Sequence, residues 1–364
     1  MSQTRIPCVI MRGGTSKGPY FHLSDLPADR ETLTKVLLAV MGSPHERQID
    51  GIGGAAWLTS KVAMVGPSER DDADVDYLFG QVLVDKPTVD YAPNCGNMTS
   101  GVGPFAIESG LVAAQDGTTT VRIHNINTGA LIEALVETPG GQVTYEGSAR
   151  IDGVPGTAAP VMLYFSNVTG SITGRLLPTG NARDVIDSIE VSCVDVAVPM
   201  IILRATDLGK RGDECKAALD ADRAFFARLE RIRVEASRRM GMGDPTGRVV
   251  PKLCMVSPPR ASGSLTARYF VPHETHATFP LVGGMCLSGA SVIGGSLLED
   301  VMPTCDAPAQ SLHIEHEVGQ LETSILFDGN RSAPVIQRVG FLRTARRIME
   351  GEVLIPASVW DGRR

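Results

Sequence analysis

The stretch that decides the fold reads Pro93-Asn94-Cys95-Gly96-Asn97-Met98-Thr99-Ser100-Gly101-Val102-Gly103-Pro104-Phe105-Ala106-Ile107-Glu108. A polar turn, Asn94 to Asn97, opens a run of Gly, Ala, Ser and Val that predicts a short helix ending at Glu108. No face of that helix needs water, so strands can enclose it. A second helix of the same kind is expected after Leu287-Ser288-Gly289-Ala290, running to Leu298. Two such helices in one chain suggest an internal duplication.

Around them lie short strands with turn punctuation. Ile6–Met11, Thr59–Val65, Tyr77–Val84, Val121–Asn125, Ala130–Glu137 and Gln142–Tyr145 read as strands in the first half. Val161–Phe165, Ser188–Val194, Met200–Ala205, Lys252–Ser257 and Leu265–Phe270 continue the pattern. Two amphipathic helices are expected, Asp29–Met41 and Asp220–Met240, the latter with Phe225, Leu229, Ile232 and Ala236 in one stripe. The reading is an α+β protein of two similar halves, residues 1–183 and 184–364, hinged after Leu177-Pro178-Thr179-Gly180. The last strand is allowed to cross back to the first half.

Composition removes several function classes. The 364 residues are 43% hydrophobic and 21% charged, enough for one or two full cores and unlike a disordered chain. The net charge of -7 argues against a nucleic-acid partner, and an aromatic content of 5% argues against a base-stacking surface. The seven cysteines (8, 95, 193, 215, 254, 286 and 305) include no CxxC pair, so a disulfide scaffold or zinc ribbon is not expected and a reduced cytoplasm is the simplest setting. No apolar run is long enough to span a membrane, and the N-terminus does not read as a signal peptide.

Within this frame a few residues could carry chemistry. Cys95 stands at a helix start, where unpaired N–H groups favour a thiolate and also bind carboxylates; otherwise it is a small core residue. Gly96 allows close approach of a ligand to the backbone, with Asn94 and Asn97 beside it. In Thr59–Val65, alternation puts Lys61, Ala63 and Val65 on one face and Ser60, Val62 and Met64 on the other. Both faces carry apolar residues, so Lys61 is either a lysine withdrawn from water, suited to a general base, or an edge-strand lysine that opposes aggregation.

Two glycine-rich segments flank these residues. Met11-Arg12-Gly13-Gly14-Thr15-Ser16-Lys17-Gly18 lacks the Walker order, but its N–H groups with Thr15, Ser16 and Lys17 could cradle a carboxylate. Gly51-Ile52-Gly53-Gly54 lacks the strand–helix context of a dinucleotide site, so no nicotinamide cofactor is expected; Gly53 and Gly54 would clear space beside Lys61. His273 and His276 are spaced three apart but have no further ligand cluster, so no metal is expected and His276 reads as a contact to an anion.

The strings MRGGTSKG, QIDGIGGA followed by LTSKVA, NCGNMTSGVGPFAIE and LPTGN together resemble the PrpF family, and within it the 4-oxalomesaconate tautomerases or isomerases. RDDADVDYLF, RIDGVPG and Phe341-Leu342-Arg343-Thr344-Ala345-Arg346 point to that subgroup. The resemblance implies the diaminopimelate epimerase-like fold, with each half wrapping strands around a central helix. It implies Lys61 and Cys95 as the catalytic residues, with Ser288 standing where relatives in the wider fold have a second thiol. It further implies a cofactor-independent isomerase that performs a 1,3 proton shift on a small tricarboxylate keto acid. The expected setting is the breakdown of protocatechuate, gallate or other lignin-derived aromatics. The alternatives are 2-methylaconitate cis-trans isomerisation, amino- or imino-acid racemisation, and a non-catalytic carboxylate-binding module. Oligomeric state is left open, a homodimer included.

Overall fold

The computed structural model describes residues 2–363. The chain divides into two compact units, Met1–Tyr164 together with Leu342–Arg364, and Phe165–Phe341. The boundary therefore precedes the 177–180 turn instead of following it, and the chain re-enters the first unit at Leu342. The reason is local. The Asp195 carboxylate accepts hydrogen bonds from Ser171, Ile172 and Thr173, and its backbone N–H donates to the Leu176 carbonyl. A turn tied in this way to a strand of the second unit is not a hinge between units.

The first unit contains β1 (Gln3–Gly13), β2 (Ser16–His22), α1 (Arg30–Met41), β3 (Lys61–Pro67), β4 (Val75–Val82), β5 (Val89–Asp90), α2 (Gly96–Glu108), β6 (Gly117–Asn125) and β7 (Leu131–Thr138). β8 (Pro160–Ser166) leads out of it. Residues Gln142–Tyr145, expected as a strand, are irregular. β1 and β2 form a hairpin with Gly13 opposite Ser16; β2 runs parallel to β3 with Tyr20 opposite Ala63; β3 and β4 are antiparallel with Lys61 opposite Gln81. After the chain returns, residues 345–356 pair antiparallel with β1.

This register sorts side chains by face. Val62, Met64, Phe21 and Leu78 pack beneath α1, against Leu33, Val36, Leu37 and Val40. Asp29 caps α1 through the Thr32 N–H at 2.8 Å, and Gly42 closes it at a φ of 75°. The opposite face carries Tyr20, Lys61 and Ala63 toward α2. In α2 every residue from Met98 to Ile107 is buried. Glycine is required there by close approach: a Cβ on Gly101 would lie 2.4 Å from the Tyr20 hydroxyl, and one on Gly103 would lie 2.8 Å from Val136.

The second unit contains β9 (Asp184–Ile186), β10 (Ile189–Val196), β11 (Val198–Arg204), α3 (Lys216–Asp220), α4 (Arg223–Arg239), β12 (Lys252–Ser257), β13 (Leu265–Val271), β14 (Glu274–Thr275), α5 (Leu281–Ser291), β15 (Ala309–His316), β16 (Gly319–Asn330) and the start of β17 (Ala333–Pro356). Phe225, Leu229, Ile232 and Ala236 of α4 are buried against Ile201, Leu203, Leu253, Met255 and Phe270. Each such side chain withdrawn from water contributes on the order of 2 kcal/mol.

The second buried helix differs from expectation. α5 starts at Leu281, capped by Pro280, and ends at Ser291; Leu297–Asp300 is a separate 3-10 turn. Ser288 is therefore near the end of the helix, not at its start. Gly283 and Gly284 stand in the first turn of α5. They are demanded by packing, since a Cβ on Gly283 would lie 2.6 Å from Tyr269 and one on Gly284 would lie 2.6 Å from Leu321. α5 packs on β10, β11, β15 and β16 as α2 packs on the strands of its own unit. Strands around a buried helix in each unit make the α+β architecture of the diaminopimelate epimerase-like fold. Among the described residues, no helix is long and apolar enough to cross a membrane.

Candidate active site

Lys61 opens β3 and is 5% exposed, while Cys95 is the N-cap residue of α2 and half-buried. The sheet register turns Lys61 toward α2, and its Nζ donates to Cys95 Sγ at 3.2 Å. Nζ also sits 5.9 Å from the centroid of the Phe79 ring, whose negative face favours a cation. The backbone of Cys95 is extended, and its carbonyl accepts from both Thr99 N and Thr99 Oγ1 at 2.9 Å. The thiol thus lies at the positive end of a helix whose first N–H groups, those of Gly96, Asn97 and Met98, have no carbonyl one turn back.

The turn between β1 and β2 packs over that helix end. A Cβ on Gly13 would lie 2.4 Å from the Asn97 carbonyl oxygen, and one on Gly14 would lie 2.2 Å from Asn97 Oδ1. Asn97 Nδ2 donates to Thr15 Oγ1 at 3.0 Å, and its Oδ1 accepts from Arg343 Nε at 3.1 Å. Asn94 Oδ1 accepts from Thr99 Oγ1 and Asn125 Nδ2, which steadies the turn into Cys95. Ser16 lies on the same face of β2 as Tyr20, is 1% exposed, and its hydroxyl has no hydrogen-bond partner. Lys17 points to the other face and is exposed, so it does not join Ser16 in a cradle.

Gly53 and Gly54 also have a different part from the one expected. Their N–H groups donate to Met41 O at 3.2 Å and Thr59 O at 3.1 Å, which commits them within the loop. A Cβ on Gly53 would lie 2.3 Å from the Gln48 amide. That amide is the loop's anchor: Gln48 Nε2 donates to Ser43 Oγ and Ser60 Oγ, and its Oε1 accepts from Ala55 N. Ser60 in turn donates to Val82 O, and Gln81 Nε2 donates to Ser60 O. Gln48 and Gln81 therefore hold the backbone immediately before Lys61, a role that polar residues in a glycine-rich loop did not announce.

Thr15, Ser16, Lys61, Cys95, Gly96 and Asn97 are brought together in the first unit. His276 and Ser288 belong to the second. The His276 ring packs edge-on to Tyr269, and its Nδ1 accepts from Thr278 N at 3.1 Å. Ser288 is fully buried and shares a hydrogen bond of 2.6 Å with Thr323 Oγ1, so it offers no helix-start donor. Cys286 is buried in the middle of α5, and burial pushes its thiol up to about 12. Among the described residues, no group of three or more His, Cys, Asp or Glu side chains could hold a metal ion.

Three residues were not read as part of the site, although Tyr77 and Arg343 stand in stretches quoted for the resemblance. Tyr20 donates to the Met98 carbonyl, and Tyr77 is fully buried beside Thr99. Burial first, and the Cys95 charge second, push both phenols well above their ordinary range, so they remain neutral. Arg343 arrives from a distant part of the chain. Burial pulls its guanidinium down to about 10, against the opposing pull of the Cys95 charge, so it too keeps its charge near neutral pH.

The chain is 49% identical over 362 residues to a 4-oxalomesaconate tautomerase of Pseudomonas putida, covering 100% of this chain and 99% of the relative. It is 47% identical to a (4E)-oxalomesaconate Delta-isomerase of Novosphingobium sp., covering 96% of this chain and 97% of that one. A crystal structure of a methylitaconate-delta-isomerase superposes with a TM-score of 0.89 at 39% identity, covering 99% of this chain and 97% of that one. The model of the PrpF protein family matches residues 3–356, and with relatives of this likeness named as isomerases, the chain is an isomerase and belongs to the PrpF family.

Proposed function

We propose that this isomerase acts on 4-oxalomesaconate and moves one proton by a 1,3 shift. The observation that carries the reading is the contact of Lys61 Nζ with Cys95 Sγ at 3.2 Å, at the first turn of a helix. The methylene of the substrate lies between a ketone and an alkene, so loss of its proton yields a conjugated dienolate. Lys61 is the base that takes this proton, and Cys95 is its partner. Return of a proton to oxygen gives the enol; return to the far alkene carbon gives the allylic isomer.

The dienolate and the substrate carboxylates are anionic. Support for their binding comes from the α2 N-terminus, Ser16, Thr15 and Asn97. Neither a metal nor an organic cofactor enters these steps. The protein works in the cytoplasm, in the breakdown of protocatechuate, gallate or other lignin-derived aromatics.

The test is proton exchange in D₂O, followed by NMR, with 4-oxalomesaconate and 2-methylaconitate as rival substrates. Deuterium entering 4-oxalomesaconate together with product formation is expected. Turnover of 2-methylaconitate alone would move the substrate assignment. Binding of both acids without C–H exchange would reduce the protein to a carboxylate-binding module.

A further inference from the structure

The turn Asn125-Ile126-Asn127-Thr128 lies between β6 and β7 and takes no direct part in the proton transfer, yet it ties together the two segments that carry it. β6 runs parallel to β4 as far as Asn125 opposite Tyr77, and the Ile126 N–H donates to the Tyr77 carbonyl at 2.9 Å. There the backbone leaves the sheet. The side chain of Asn127 takes the next place on β4. Its Oδ1 accepts from Phe79 N at 2.8 Å, and its Nδ2 donates to the Phe79 carbonyl at 2.8 Å. A side-chain amide offers the donor and acceptor of a peptide unit, so Phe79 is paired as if the strand continued.

The remaining bonds of that amide run toward Cys95. Nδ2 also donates to the Tyr91 carbonyl at 2.7 Å, and Oδ1 also accepts from Asn125 Nδ2 at 3.2 Å. Asn125 Nδ2 reaches on to Asn94 Oδ1 at 3.5 Å. Both donors and both acceptors of Asn127 are thereby used. Residues 91–95 belong to neither strand nor helix, so no ladder fixes the approach to Cys95. Tyr91 is the firm end of this segment: the Arg30 guanidinium lies 4.3 Å from its ring centroid, and its hydroxyl is 3.1 Å from Thr34 Oγ1 of α1. Phe79 is 1% exposed and supplies the ring beside Lys61 Nζ. One side chain thus spans from the shelf of the lysine to the tether of the cysteine.

We propose that Asn127 is a positioning residue, which sets the separation of Lys61 Nζ and Cys95 Sγ by holding Phe79 and Tyr91 at a fixed spacing. The inference rests on the reading that the Lys61–Cys95 pair moves the proton. Asn127 exchanges no proton itself and acts through the two backbones it joins. A displacement of about 1 Å in a reacting group costs on the order of 10²-fold in rate, so a fixed spacing has a large effect.

The test reads spacing and chemistry separately. o-Phthalaldehyde joins a primary amine and a neighbouring thiol into one fluorescent isoindole with loss of water. Its rate of formation reports how near Lys61 and Cys95 stand, and Lys61→Met and Cys95→Ser give the background. Asn127→Asp is nearly isosteric and keeps an acceptor for Phe79 N, but it turns an oxygen toward the Phe79 and Tyr91 carbonyls. It should slow isoindole formation and lower kcat roughly 10- to 100-fold with KM little changed. Asn127→Ala should do the same, with the circular dichroism of both variants matching the unaltered protein. In a Cys95→Ser background Asn127→Asp should cost little more, because the pair it positions is already broken. An equal factor in both backgrounds would make Asn127 a support of the fold alone and overturn the proposal, as would unchanged isoindole formation in both Asn127 variants. Slower isoindole formation with unaltered turnover would instead remove the Lys61–Cys95 pair from the proton transfer and leave the spacing role of Asn127 standing.

Discussion

Lys61 Nζ and Cys95 Sγ, 34 residues apart in sequence, meet at 3.2 Å where β3 begins and α2 begins. The two strand and helix starts are aligned by the β2–β3–β4 register beneath α2. A mobile ammonium on a surface strand would not hold this geometry. A 5% exposed one, with its preceding backbone anchored by Gln48 and Gln81, does.

The pair predicts unequal losses on mutation. Lys61→Met keeps the volume and removes the base, so kcat should fall by ~10²–10⁴-fold with the fold intact. Cys95→Ser should cost less, or alter the exchange of solvent protons into product. Steady-state turnover and C–H exchange of both variants decide the roles. Normal turnover of Lys61→Met with a dead Cys95→Ser would make cysteine the base.

Gly14 lies at φ +52°, with its absent Cβ 2.2 Å from Asn97 Oδ1. Gly14→Ala meets both backbone strain and a clash, which together should lower stability by about 1–3 kcal/mol. Gly110 has φ +75° but open space around it, so Gly110→Ala should show the backbone cost alone. Urea midpoints of the two variants separate strain from crowding. Displacement of Asn97 should also raise KM in Gly14→Ala only.

Glu315 anchors the 260–263 loop. Burial pushes its carboxyl up, but the N–H groups of Arg260, Gly263 and Ala261 and the Thr266 hydroxyl outweigh this and hold it below the usual range. A carboxylate depressed in the folded state adds stability above its ordinary pKa, and that stability drains away as pH falls through the lower, folded value. Glu315→Gln should therefore cost about 2 kcal/mol at pH ~7, with the gap to the unaltered protein narrowing below pH ~4. Denaturant titrations at the two pH values test the sign. A gap that widens in acid would refute it.

Activity should survive chelator and exhaustive dialysis, since the proposed steps use only a proton and the side chains named. Loss of activity that zinc or manganese restores would overturn this expectation and direct attention to His273 and His276.

Local pattern determined much of this protein. Alternation placed Lys61 with Ala63 on one face of β3, small residues made α2 an enclosed helix, and 3.6-residue periodicity drew the buried stripe of α4. Each is a preference that neighbouring residues express by themselves. Tertiary structure decided the rest. Only the return of the chain at Leu342 brings Arg343 to Asn97, a partner 246 residues away. Only the side chains of Tyr269 and Leu321 explain why α5 keeps two glycines in its first turn and starts at Leu281, which moves Ser288 from helix start to helix end. Only the Gln48 amide and the Thr59 side chain explain Gly53 and Gly54, which a sequence reader assigns to ligand. A glycine looks the same whether it makes room for a substrate or for a neighbouring side chain, and the difference lies in what the fold brings against it.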